Sequence, residues 1–114
     1  MSRKLVCALA VVASLLCSPL AAAQQMYVDV TNRTGFPIWH LYVSPAKATD
    51  WEEDLLGASE VINQGQTKRI TLTGYKSPVF DIKAVDNEGD AYVRMGVNVR
   101  EQDVEFTLGD IVVD

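Results

Sequence analysis

From Tyr27 to Leu108 the chain alternates between apolar and polar residues with a period of two, and no segment carries the period of an ordinary helix. Successive side chains of an extended strand point to opposite faces, so this pattern makes ribbons with one dry face and one wet one. In Tyr27-Val28-Asp29-Val30-Thr31, Val28 and Val30 go one way and Asp29 and Thr31 the other. Ile38–Val43 puts Trp39, Leu41 and Val43 on one face, with His40 and Tyr42 on the other. Arg69-Ile70-Thr71-Leu72-Thr73 alternates cleanly. Val79–Val85 turns Phe80, Ile82 and Ala84 inward and Asp81 and Lys83 outward. Ala91–Val99 turns Val93, Met95, Val97 and Val99 inward, with Tyr92, Arg94 and Asn98 outward, and Val104, Phe106 and Leu108 close the set. Glu60-Val61-Ile62 is a candidate further strand. Asn32-Arg33-Thr34-Gly35, Gln64-Gly65-Gln66 and Asn87-Glu88-Gly89-Asp90 supply the turns. Six to seven short strands at this spacing predict an all-β fold, a small antiparallel β-sandwich of immunoglobulin-like form, with a small barrel as the alternative.

The first residues do not belong to that fold. Arg3 and Lys4 precede the uncharged apolar run Leu5–Leu16, and Ser18-Pro19 and Ala21-Ala22-Ala23 follow it. This is the layout of a secretory signal peptide, residues 1–23. The run is too short to span a bilayer as a helix, which takes about 20 apolar residues. A single domain over residues 24–114 remains, without Cys7 and Cys17. It therefore has no disulfide, no thiolate metal site and no cysteine nucleophile. Loss of Arg3 and Lys4 leaves eight basic residues against all fifteen acids, a net charge of −7 compared with −5 for the whole chain. So acidic a domain excludes nucleic acid and anionic membrane surfaces as partners and suits cations or basic partners. The expected location is the periplasm or the exterior after cleavage near Ala23, with no membrane span in the processed chain.

Two acidic stretches interrupt the strands. In Thr49-Asp50-Trp51-Glu52-Glu53-Asp54-Leu55-Leu56-Gly57, Thr49 and Glu52 have the spacing of a capping box, and the acids suit a helix N-terminus. Trp51 and Leu55 then share one face, and Gly57 ends the turn. The expectation is one short helical turn over 50–56 that drops Trp51 and Leu55, with Leu56, onto the open end of the sandwich. The second stretch is Asp86-Asn87-Glu88-Gly89-Asp90. Carboxylates with backbone carbonyls in loops can hold calcium, which makes Asp86, Glu88, Asp90, Asp50 and Asp54 the candidate metal ligands, although neither stretch has EF-hand spacing. His40 is the lone histidine and falls on an outward strand position. Asn32-Arg33-Thr34 fits a glycosylation sequon but reads as a turn. Tyr92, Arg94, Asn98 and Arg100 form an outward stripe of the kind favoured at interfaces, and are the candidate interaction surface. Serine elbows, S-x-x-K pairs and glycine-rich phosphate loops are absent from the sequence.

Three blocks together carry a resemblance: Val30-Thr31-Asn32-Arg33-Thr34-Gly35, Leu41-Tyr42-Val43-Ser44-Pro45, and Trp51 through Asp54-Leu55-Leu56-Gly57. With Phe80-Asp81-Ile82-Lys83 and Asp86 through Asp90, they resemble a family of small exported bacterial proteins with an N-x-T-G turn, an L-Y-V-S-P strand and a W-x-x-D-L-L-G segment. The resemblance covers nearly all of the processed chain and implies little about function. Some members bear the name argininosuccinate lyase. That enzyme is a large helical protein with active sites formed between subunits, which a small β domain cannot supply, and the name is not carried over. The expected function is that of a non-catalytic binding or structural module with no cofactor, its partner a protein or envelope component. A calcium-binding module using the acidic loops is the alternative, and a small hydrolase or lyase the third reading.

Overall fold

The computed structural model describes residues 25–113, so the expected leader lies outside the described residues. Six strands run in order β1 (Met26–Arg33), β2 (Ile38–Pro45), β3 (Thr67–Leu72), β4 (Val79–Asp86), β5 (Ala91–Asn98) and β6 (Val104–Thr107). They form two three-stranded sheets, β3-β1-β6 and β2-β4-β5. Val28, Val30, Ile70, Leu72, Val104 and Phe106 from the first sheet join Ile38, Leu41, Val43, Phe80, Ile82, Ala84, Tyr92 and Val97 from the second in one buried cluster. The result is a small β-sandwich. The pairs are antiparallel as expected except one, because β6 runs parallel to β1, with Val30 opposite Val104 and Arg33 opposite Thr107. A parallel neighbour needs a long crossover, and here the whole of β2–β5 serves as that connection.

Two bulges change which side chains face in. Ile38 pairs with Asp86 and His40 with Val85, so β2 holds an extra residue at Trp39. That residue breaks the expected inward alignment of Trp39 with Leu41: Trp39 is 47% exposed while Ile38 and Leu41 are fully buried. In the β4–β5 ladder Phe80 pairs with Val97 but Ile82 with Arg94. The extra residue on β5 falls at Met95-Gly96, where Gly96 adopts φ +64, the left-handed region that glycine enters at little cost. Alternation changes phase there. Val97 and Val99 face in as expected, but on the far side Tyr92 is the inward residue at 0% exposure, and Met95 is turned out at 64%.

The helical turn expected over 50–56 does not form. The helical turn of the described residues is a 3-10 turn at Leu108–Asp110, where the Asp110 carboxylate accepts the Thr107 N–H. Ile62 contributes a single antiparallel bridge to Ile38 rather than a strand, and Ile111 a bridge to Tyr92.

Candidate interaction surface

Asp54 explains why 50–56 is extended. Its Oδ1 accepts the N–H of Leu41 at 2.9 Å and of Leu56 at 3.0 Å, and its Oδ2 lies 2.6 Å from His40 Nδ1. The Leu55 N–H donates to the Leu41 carbonyl at 2.8 Å. The segment is thus pinned along the outer edge of β2, which covers an otherwise open strand edge. Burial raises the Asp54 pKa, but the bonds from Leu41, His40 and Leu56 outweigh it and hold the carboxyl below the usual carboxylate range. A carboxylate that binds strand and loop together gains more than a helix N-terminus offers, so the capping box goes unused. Glu52 instead donates its N–H to Ser44 Oγ, and its carboxylate accepts a hydrogen bond from the Tyr75 hydroxyl. Tyr75 in turn stands edge-on to the buried Phe80 ring, centroids 5.0 Å apart. Leu56 enters the core, whereas Leu55 stays 36% exposed.

Trp51 is only half-buried, which corrects the expected core role. It stands on the outer face of the β2-β4-β5 sheet between two recesses. One, of about 360 Å³, is lined by Lys83, Gly89, Asp90, Ala91, Val93 and Val112 as well as Trp51. There Lys83 Nζ lies 5.9 Å from the Trp51 ring and 5.7 Å from that of Tyr42. The other, of about 120 Å³, has Ser44 and Asp81 as its floor, Ala48, Thr49 and Asp50 above, and Met95 beside Trp51. Ser44 and Asp81 are cross-strand partners there. Asp81 is 7% exposed, and its Oδ1 accepts the Gly96 N–H at 2.8 Å.

The acids named as candidate metal ligands do not converge. Asp50 and Asp90 border opposite recesses. Asp54 spends both oxygens on His40 and the β2 edge. Asp86 is 2% exposed and ties down its own hairpin: Oδ1 accepts the N–H groups of Glu88 and Asp90, and Oδ2 accepts the Tyr92 hydroxyl at 2.8 Å. Glu88 stays on the exposed hairpin tip. Among the described residues no group of three or more His, Cys, Asp or Glu side chains is placed to hold a metal ion.

Burial, with the Asp86 hydrogen bond, pushes the Tyr92 phenol up to about 12. Folded and unfolded chains both keep this proton below pH ~10, so the residue's contribution is intact there. Above that the unfolded chain ionises first, and stability falls until pH passes the folded value. We expect urea midpoints to drop between pH 10 and 12, with a slope reduced in Tyr92→Phe.

The predicted stripe Tyr92, Arg94, Asn98 and Arg100 is not one surface. Tyr92 is core. Arg94 follows it onto the same side of the bulge, where Nε donates to Asp110 Oδ1 and Nη2 to the Glu105 carbonyl, tying β5 to β6. The Asn98 carboxamide accepts the Arg100 N–H within a turn. Arg100 lines a separate cleft of about 550 Å³ with Tyr27, Asp29, Arg69 and Asp103. There Arg69 is engaged on both sides, bidentate to Asp29 and 3.9 Å over the Tyr27 ring. The sequon asparagine is likewise structural: Asn32 is fully buried, and its Nδ2 donates to the Phe36 and Ile62 carbonyls.

The outer-face residues Asp81, Lys83 and Met95 were not singled out from the sequence as a site. The available signal was Gly96 inside an otherwise regular strand, which marks a bulge. The class of protein that fold and surface define is a small all-β sandwich domain with a tryptophan between two recesses on one sheet. No family model, curated protein or solved structure matches the chain.

Proposed function

We propose that the protein is an exported, non-catalytic β-sandwich module that binds a protein or envelope component through the outer face of the β2-β4-β5 sheet. The observation that carries this reading is the half-buried Trp51 standing between two recesses. Met95 and Val112, 64% and 49% exposed, flank it. Tryptophan and methionine are enriched where proteins meet, and a large ring exposed in a recessed setting is a natural anchor. The fixed course of the loop supports the same reading, since the bonds of Asp54 and Ser44 hold the segment around Trp51 in place.

Trp51→Ala separates this role from a core role. Full burial of the ring would make the loss about 3–5 kcal/mol. A ring that is only partly buried should cost less, about 2–3 kcal/mol in urea unfolding, since the loss scales with the area buried. Tagged wild-type protein should retain a specific partner from periplasmic extract that Trp51→Ala and Met95→Glu do not. Equal recovery by all three would overturn the reading.

A further inference from the structure

We propose that the smaller recess beside Trp51 receives the cationic head of an arginine or lysine side chain from a basic partner segment, with Asp81 and Asp50 as its counter-ions. This rests on the reading of the outer face as a binding surface and names the chemistry of what binds there. The central observation is Asp81. The residue is only 7% exposed, and its side-chain hydrogen bond within the described residues is the one from the Gly96 N–H. A carboxylate accepts at both oxygens. Every fully enclosed side-chain polar atom among the described residues has a partner. The second oxygen of Asp81 is therefore not fully enclosed, and the residue lines the recess. None of the ion pairs among the described residues involves Asp81. A carboxylate with one reachable oxygen and little exposure attracts a positive group more strongly than a fully solvated one, because the surroundings screen it less.

The walls select the kind of cation. Asp50 and Thr49 stand at the recess with Asp81, while Trp51, Met95 and Ala48 make it partly apolar. An indole face attracts guanidinium and ammonium groups, and the thioether suits an alkyl stem. Calcium wants six to eight oxygens. Here the donors are two carboxylates and two hydroxyls, and Ser44 Oγ already accepts the Glu52 N–H. In the neighbouring recess the chain's own Lys83 already lies beside the Trp51 ring. The net charge of −5 attracts a basic segment at longer range.

The test is a titration of ¹⁵N-labelled protein with the peptide acetyl-Gly-Gly-Arg-Gly-Gly-amide. The Gly96 amide, hydrogen-bonded to Asp81, and the Trp51 indole N–H report on the recess, and the Trp39 indole is the internal control. The expected result is a saturable shift at Gly96 and Trp51 but not at Trp39. Affinity should fall at least tenfold in Asp81→Asn, which keeps an acceptor for Gly96, and stay within twofold in Glu101→Gln, which removes the same charge elsewhere. Substituting glutamine for the arginine of the peptide should abolish the shift. Equal binding by the glutamine peptide, or by Asp81→Asn, would overturn the proposal. So would saturation of the Gly96 shift by calcium chloride alone, with no effect of the peptide. In the extract experiment, loss of the partner by Trp51→Ala with full retention by Asp81→Asn would keep the binding face and reject the cationic side chain. Retention by both would reject the face itself.

Discussion

Chains carrying Asn32→Asp are expected to unfold at much lower urea concentration than wild type, by the equivalent of about 3–5 kcal/mol near neutral pH. Asn32 is fully buried at the end of β1, and every polar atom of its side chain is used. Nδ2 donates to the Phe36 carbonyl at 2.7 Å and to the Ile62 carbonyl at 2.8 Å. Oδ1 accepts the N–H and the hydroxyl of Thr34. One side chain thus fastens the turn after β1 to the segment around Ile62. Aspartate has nearly the same shape but replaces both donors with an acceptor, so oxygen would face oxygen at two buried carbonyls. The defect should shrink in acid, because a protonated carboxyl restores one donor. Asn32→Ala removes the clash but leaves the Thr34 N–H without its partner and takes one of two donors from each of the Phe36 and Ile62 carbonyls, and should cost about 2–3 kcal/mol. Denaturation curves at pH 7 and pH 4 check both. A loss below about 1 kcal/mol for either variant would show that water replaces these bonds easily.

Asp86→Ala should be comparably damaging, at about 3 kcal/mol or more. It strands the Glu88 and Asp90 N–H groups of the β4–β5 turn and the buried Tyr92 hydroxyl together. Hydrogen bonds to a charged group are each stronger than neutral ones. Tyr92→Phe removes only one of the three and should cost about half as much. In the double variant the phenyl ring that replaces the phenol has no hydroxyl left to strand, so the two losses should add to less than their sum. A strictly additive result would mean that the carboxylate and the phenol act independently. Domains of this size have total stabilities toward the low end of about 5–15 kcal/mol, so either Asn32→Asp or Asp86→Ala brings the folded state close to its limit.

The strands were legible because period-two alternation is a local signal; the buried sets in β1 and β3 follow it residue by residue, and those in β4 do so except at Asp81. The signal failed where a bulge inserts one residue, since a one-residue slip sends every later side chain to the other face. Tyr92 and Met95 exchanged places for that reason, as did Trp39. The segment around Trp51 failed differently. Its capping box and acids fit a helix by sequence-local rules, but Asp54 found stronger partners in His40 and Leu41, fourteen and thirteen positions away. Sequence periodicity carries no trace of such a contact. Asp81 was read as outward, yet it is only 7% exposed, because it shares a recess with residues 48–51 of the loop. The acidic stretch was a sound place to look, and the carboxylate that makes its recess unusual comes from another strand.

The parallel alignment of β1 with β6 has a consequence for the order of assembly. The sheet β3-β1-β6 takes one strand from near each end of the described chain, Met26–Arg33 and Val104–Thr107. A chain emerging N-terminus first can pair β1 with β3 early, but a two-stranded ribbon alone is marginal in water. The first sheet is completed only when residue 107 is available. Loop closure over that distance must be met before its contacts return anything, which makes folding a late and comparatively slow event. The β2-β4-β5 sheet can form once residue 98 is available, but the sandwich closes only when β6 locks onto β1, so the final strand acts as the fastener of the whole domain.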